Sequence, residues 1–235
     1  MKFIYAEELN KIFSVYGHFY DLEIVGQTFP CRSVLEIFSN SQRPALDSTP
    51  CAVVVMMNPG SSKPKEKSYT PKKCSVDQLY FRSCEKELVP TRPDNAQYQI
   101  MRLMLMNDWK HVRILNLSDL RNGNSGEFAR EFQRTTLLDP TKPHSLTNEN
   151  RKRELFDYCS QSPVVIAAWG GTEVLRESAI TFLNQFPDVE GIRLDTPWYK
   201  YPSPYRKDQK LVWLNEMNDR LKNAGKEVRR SCAEV

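Results

Sequence analysis

Four short segments of this chain are continuously apolar and rich in β-branched residues: 52–57, 112–116, 164–169 and 191–194. Continuous runs, as opposed to alternating ones, are the pattern of strands covered on both faces, as in a parallel sheet. Between them apolar positions recur at helical spacing. Residues 94–107 place Ile100, Leu103, Met104 and Asn107 on one face, and 147–159 place Leu155, Phe156 and Cys159. A third helix is predicted over 173–185, and a fourth over 208–223 with Leu211, Leu214, Met217 and Leu221 as its stripe. Strands alternating with helices predict an α/β protein, a three-layer sandwich around a central four-stranded, mainly parallel sheet. Residues 19–25 and 31–38 read as an antiparallel strand pair placed before it.

No internal repeat or linker-like stretch interrupts the pattern. One domain over residues 1–235 is therefore expected: an N-terminal extension over 1–50, a core over 51–225 and a mobile tail over 226–235. Polar loops at 61–70, 121–127, 138–145 and 196–207 punctuate it, and three of them directly follow a strand. In open α/β sheets ligands gather at the carboxyl ends of the strands, so these loops are the expected site.

Composition narrows the class. Of 235 residues, 40% are hydrophobic and 26% charged, which excludes a disordered chain. The longest apolar run, from Cys51 to Met57, is far short of the ~20 residues a membrane span needs. Glu7 and Glu8 come too early for a secretory signal. A soluble, cytoplasmic monomer with no membrane partner is the expectation. The six cysteines form no C-x-x-C pair, so no metal and no cofactor is expected, and all six read as structural thiols. No glycine-rich phosphate loop is present.

The formal net charge of +4 is mild, but it is unevenly placed. Residues 1–50 hold four Lys/Arg against six Asp/Glu, whereas 61–93 hold eight against four and 199–235 nine against five. The two basic stretches contain or adjoin the two most informative motifs.

Each strand end carries one motif. Met57-Asn58-Pro59-Gly60-Ser61-Ser62 follows the first strand, and Asn116 ends the second. Trp169-Gly170-Gly171-Thr172 closes the third, and Trp198-Tyr199-Lys200-Tyr201-Pro202-Ser203-Pro204-Tyr205-Arg206 follows the fourth. Singly, each is a turn or a cap. In this order, over residues 50–225, they resemble the uracil-DNA glycosylase superfamily. The wording is nearest to its mismatch-specific and thymine-DNA branches and to a branch whose first motif begins Met-Asn-Pro.

That resemblance implies a glycosylase-like core. Asn58 falls where the water-orienting Asp or Asn sits, and Asn116 falls where an Asn reads the flipped base. Tyr201 takes the place of a His that stabilises the departing base. The loop Pro202-Ser203-Pro204-Tyr205 matches the segment that presses on DNA, with Tyr205 as the wedge and Arg206 and Lys207 at the backbone. Ser61, Lys63, Lys65, Trp169 and Gly170 would join the DNA contact, and Pro59 and Gly60 the base pocket. Gly60 stands where strict uracil enzymes carry a Tyr that excludes groups at the pyrimidine C5, so room for C5-substituted bases is expected there. Tyr69 is placed either to stack on a flipped base or to pack a turn.

A base inside a duplex is unreachable, so such an enzyme must flip it at a cost of a few kcal/mol. Lysines over 63–73 supply sequence-independent phosphate contacts. The partner implied is DNA, duplex with a flipped base or single-stranded, and the reaction is hydrolysis of a pyrimidine N-glycosidic bond in repair or defence against modified DNA. Two other readings stand beside it: a catalytically degenerate glycosylase fold that only binds nucleic acid, and a hydrolase of free nucleosides or nucleotides. His18 and His111 read as surface or capping residues, and His144 as one that could reach the site.

Overall fold

The computed structural model describes residues 3–41, 49–80 and 86–231, with no side-chain detail beyond 224. In chain order its elements are α1 (Ala6–Ile12), β1 (Phe13–Ile24), β2 (Gln27–Ser39), β3 (Ala52–Met56), β4 (Lys63–Pro64), β5 (Lys72–Ser75), α2 (Val76–Tyr80) and β6 (Val89–Arg92). Then come α3 (Asn95–Asn107), β7 (His111–Asn116), α4 (Ser125–Leu138), α5 (Lys152–Cys159), β8 (Val165–Ala167), α6 (Arg176–Gln185) and α7 (Lys207–Ser231).

Three of the four expected core strands form, and they are parallel: β3 lies between β7 and β8. Along β3 the side chains alternate between two cores. Ala52, Val54 and Met56 pack with α1, α3 and α7, while Val53 and Val55 pack with α4, α5 and α6. A strand covered on both faces has no use for alternating polarity, which is why this one reads as a continuous apolar run. Helices on both faces of one sheet make the α/β sandwich.

The sheet is larger than four strands and mixed in direction. It has eight strands in the order β4-β6-β1-β2-β7-β3-β8, with β5 also paired to β1. The N-terminal pair is longer than expected and belongs to the sheet: β2 pairs antiparallel with β7, Leu35 opposite Ile114 and Ile37 opposite Val112. The β1–β2 turn is two residues, Val25 and Gly26, both at positive φ. That geometry matches the twist of the flanking strands and is what a tight hairpin requires. The expected fourth strand does not form as one: isolated bridges stand there instead, Ile166 with Glu190 in parallel and Arg193 with Tyr199 antiparallel. Next to Glu190, Gly191 packs so close to Tyr199 and the Ala167 carbonyl that a Cβ would lie 2.5 and 2.6 Å from them.

The helices expected at 147 and 173 each open with a 3-10 turn, Glu149–Arg151 and Glu173–Leu175. α7 runs on to Ser231, so the stretch expected as a mobile tail is helical up to that residue. Residues 232–235, Cys232 among them, and Cys84 lie outside the described residues. His18 and His111 are buried, contrary to expectation, and His111 Nε2 meets Glu36 Oε2 at 2.7 Å. Among the described residues no helix is long and apolar enough to cross a membrane.

Candidate functional site

The chain passes from β3 through α3 to β7 on one face of the sheet, and from β7 through α4 and α5 to β8 on the other. Chain connections that part to opposite faces leave a crevice beyond the carboxyl ends of the strands. A cavity of about 430 Å³ sits there, within the range of small-ligand sites. Its walls are Met57, Asn58, Gly60 and Ser61 after β3; Asp94, Asn95 and Ala96 at the start of α3; Asn122, Gly123 and Ser125 at the start of α4; Trp169, Gly170 and Thr172 after β8; and Tyr201 and Ser203. Three motifs spread over more than a hundred residues of chain thus meet in one place.

Asn58 is held by its amide nitrogen, which donates to the carbonyls of Asn122 at 2.7 Å and Leu120 at 3.4 Å. Its carbonyl oxygen is the acceptor left for a ligand or a water. Tyr201, 40% exposed, keeps its phenol protonated well beyond the usual range, because burial of its hydroxyl end and the charge of Asp94 both oppose ionisation. It enters the cavity as a hydrogen-bond donor. Trp169 is fixed by its ring nitrogen on the Pro197 carbonyl at 2.9 Å and by edge contacts with Phe182 and Tyr199. The Ser203 hydroxyl has no hydrogen-bond partner among the described residues. Tyr205, in the loop beside the cavity, is 99% exposed, which suits a residue that acts on something outside the protein.

Other expected positions lie elsewhere. Asn116 is wholly buried and does not line the cavity. With its amide turned to the orientation that satisfies both ends, it donates to the backbone carbonyl of Asn58 at 2.9 Å and accepts from Arg32 Nη2 at 3.3 Å. The expectation that it reads a base gives way to a bracing role, since both ends of the amide are spent. Pro59 and Pro202 are buried outside the lining, and Pro204 faces a separate cleft with Leu194 and Trp213. Tyr69 stands near Glu87, Lys72 and Asp21, away from the cavity.

Lys63 is exposed on β4, and Lys65 borders another groove with Tyr16, Arg92 and Tyr98. Arg206 is paired with Asp208 at 2.6 Å, and Lys207 donates to Tyr5 at 2.9 Å. The two basic residues expected at the DNA backbone therefore begin with intramolecular partners. His144 is fully buried between Ser118 and Thr135 and does not reach the cavity.

The space expected above Gly60 is taken. Gly60 has φ +64°, and a Cβ there would lie 2.5 Å from Asp94 Oδ2. The absent side chain makes room for the Asp94 carboxylate. In the sequence Asp94 stands only as the first residue of the predicted 94–107 helix. Its Oδ1 accepts from the Ala96 and Gln97 amides at 2.9 and 3.3 Å, completing a capping box.

Arg32 went unnoticed because a lone charge in a strand reads as an exposed position. It is fully buried under the cavity floor, and its Nε and Nη1 have no hydrogen-bond partner among the described residues. Burial pulls its pKa down to about 10, which leaves it charged at neutral pH, and Asp94, Arg121, Asp119 and Tyr201 surround it. No protein-family model, no curated protein and no solved structure matches the chain.

Proposed function

We propose that this protein is a monofunctional DNA glycosylase, which takes a pyrimidine flipped out of DNA and hydrolyses its N-glycosidic bond to leave an abasic site. The observation that supports this reading best is the convergence of Asn58, Gly60, Ser61, Trp169, Gly170, Tyr201 and Ser203 on one cavity, with Tyr205 protruding beside it. These are the motif residues whose order resembles the uracil-DNA glycosylase superfamily, and the parallel strands that carry them favour a shared site.

In this reading the cavity receives the flipped base and Tyr205 fills the gap left in the stack. Asn58 accepts a hydrogen bond from the attacking water and orients it. The Tyr201 phenol donates to the base as negative charge develops on it, a fixed donor in a partly desolvated site. Among the described residues no lysine lines the cavity, so the covalent imine of a bifunctional enzyme has no amine to form on.

Duplexes carrying uracil, mismatched thymine or a C5-modified cytosine, incubated with the protein and then treated with hot alkali, test the proposal. At least one should be cleaved at the modified position. Tyr201→Phe, which keeps the ring and removes the donor, should slow base release about 10²-fold. No alkali-labile site on any substrate, or full activity in both Asn58→Ala and Tyr201→Phe, overturns it. Salt-dependent DNA binding without base release would mark a binding protein instead.

A further inference from the structure

Asp94 is the one ionisable carboxyl group lining the cavity among the described residues, and no lysine, arginine or histidine lines it. Its Oδ1 is committed to the first turn of α3. Its Oδ2 has no hydrogen bond among the described residues and lies directly over Gly60, two residues from Asn58. An L-side chain at position 60 would have to displace it, so glycine there and the carboxylate belong to one arrangement. Beneath stands Arg32, a guanidinium with two unpartnered nitrogens, costly to bury without a use.

We infer that Asp94 is the proton acceptor of this site, taking a proton from the water that Asn58 orients, with Arg32 as the positioning counter-charge below it. The inference rests on the glycosidic-bond hydrolysis proposed above. It supplies what that reading lacks, because an amide such as Asn58 can align water but cannot take its proton. In the step, the C1′–N bond breaks and its electron pair leaves with the base. The water oxygen bonds to C1′ and its proton passes to Asp94 Oδ2. The carboxyl group then returns that proton to the departed base or to solvent, so the products are the free base and the abasic sugar hydroxyl.

The groups that face Asp94 are Arg32 from β2, Tyr201 from the loop before α7 and the amides of α3, while Arg121 and Asp119 flank Arg32. The cap and the chemistry are separable, because Asn is as good a cap as Asp. Asp94→Asn keeps the shape and the Oδ1 acceptor, so α3 keeps its cap, and a cooperative urea transition shows that the variant is folded. Its base release should fall about 10²-fold, and the acid limb of the pH–rate profile, where a carboxylate takes up its proton, should disappear. Arg32→Met should lower kcat with little change in KM, and Arg32→Lys should restore part of it.

Base release by Asp94→Asn at the wild-type rate, or a slower rate with the acid limb still in place, overturns the inference and leaves Asp94 a helix cap. A wild-type protein that releases no base from any substrate removes the glycosylase reading itself, and this inference with it. The two failures are therefore told apart by the wild-type lane.

Discussion

His144 should make this protein lose stability in mild acid. The imidazole is fully buried, with Nε2 2.9 Å from the Thr135 hydroxyl, Nδ1 3.1 Å from the Ser118 hydroxyl and the edge of Phe132 beside it. Burial, and then the charges of Arg151 and Lys142, push its pKa down to about 3. In the unfolded chain a histidine takes its proton near pH ~6.5. Between those values the unfolded state binds more protons than the folded one, so stability is complete above the unfolded value and declines as pH falls. The slope is about 1.4 kcal/mol per pH unit, giving a loss of about 2 kcal/mol between pH 6.5 and 5.

The raised carboxyl groups of Asp21, Asp119 and Glu131 are common to the wild type and a His144 variant, so they cancel when the two are compared. Glu154, which burial alone would raise, is held well below the ordinary carboxylate range by Arg151 and Lys86, so its contribution is lost only in stronger acid. Urea unfolding of the wild type and of His144→Gln from pH 7 to 5 is the assay. Gln offers a donor and an acceptor but no proton site, so its curve should be flatter by about 2 kcal/mol across the window, whatever its absolute stability. Parallel curves would refute the reasoning.

Arg151 is the hinge of a buried charge network, 2.8 Å from Asp119 and 3.0 Å from Glu154. Arg151→Met leaves the buried Asp119 without its cation and Glu154 with Lys86 alone, and should cost about 3–5 kcal/mol in urea unfolding at pH 7. Gly60→Ala forces a side chain against Asp94 at a positive φ, so it should lose about 1 kcal/mol of stability and most base release. Tyr205→Ala touches nothing in the fold, so its unfolding free energy should stay within about 0.5 kcal/mol of the wild type. Its base release from duplex DNA should fall far more than from single strands, measured side by side.

The layers of the fold were legible because burial on both faces writes continuous apolar runs, as in β3 and β7. What stayed hidden follows from pairing and context. Nothing in Leu35 or Ile37 says that their strand will lie against β7. Helix α4 escaped because its buried stripe is only Phe128, Phe132 and Thr135. At the site, turn chemistry marked Asn58, Gly60 and Gly170, which lie where the backbone bends beside the cavity. Asp94 and Arg32 carried no such mark. One is simply the first residue of a predicted helix, and the other is a charge whose burial depends on a tertiary neighbourhood that local pattern does not encode.

The central claim, that this cavity cuts a base from DNA, is met most directly by looking for the free base. DNA containing uracil, thymine mismatches and C5-modified cytosines is incubated with wild-type protein or Asp94→Asn, and the small-molecule fraction is weighed by mass spectrometry. The account predicts a free pyrimidine in the wild-type sample at about 10²-fold the amount in the variant. Intact DNA with no free pyrimidine from the wild type would contradict it.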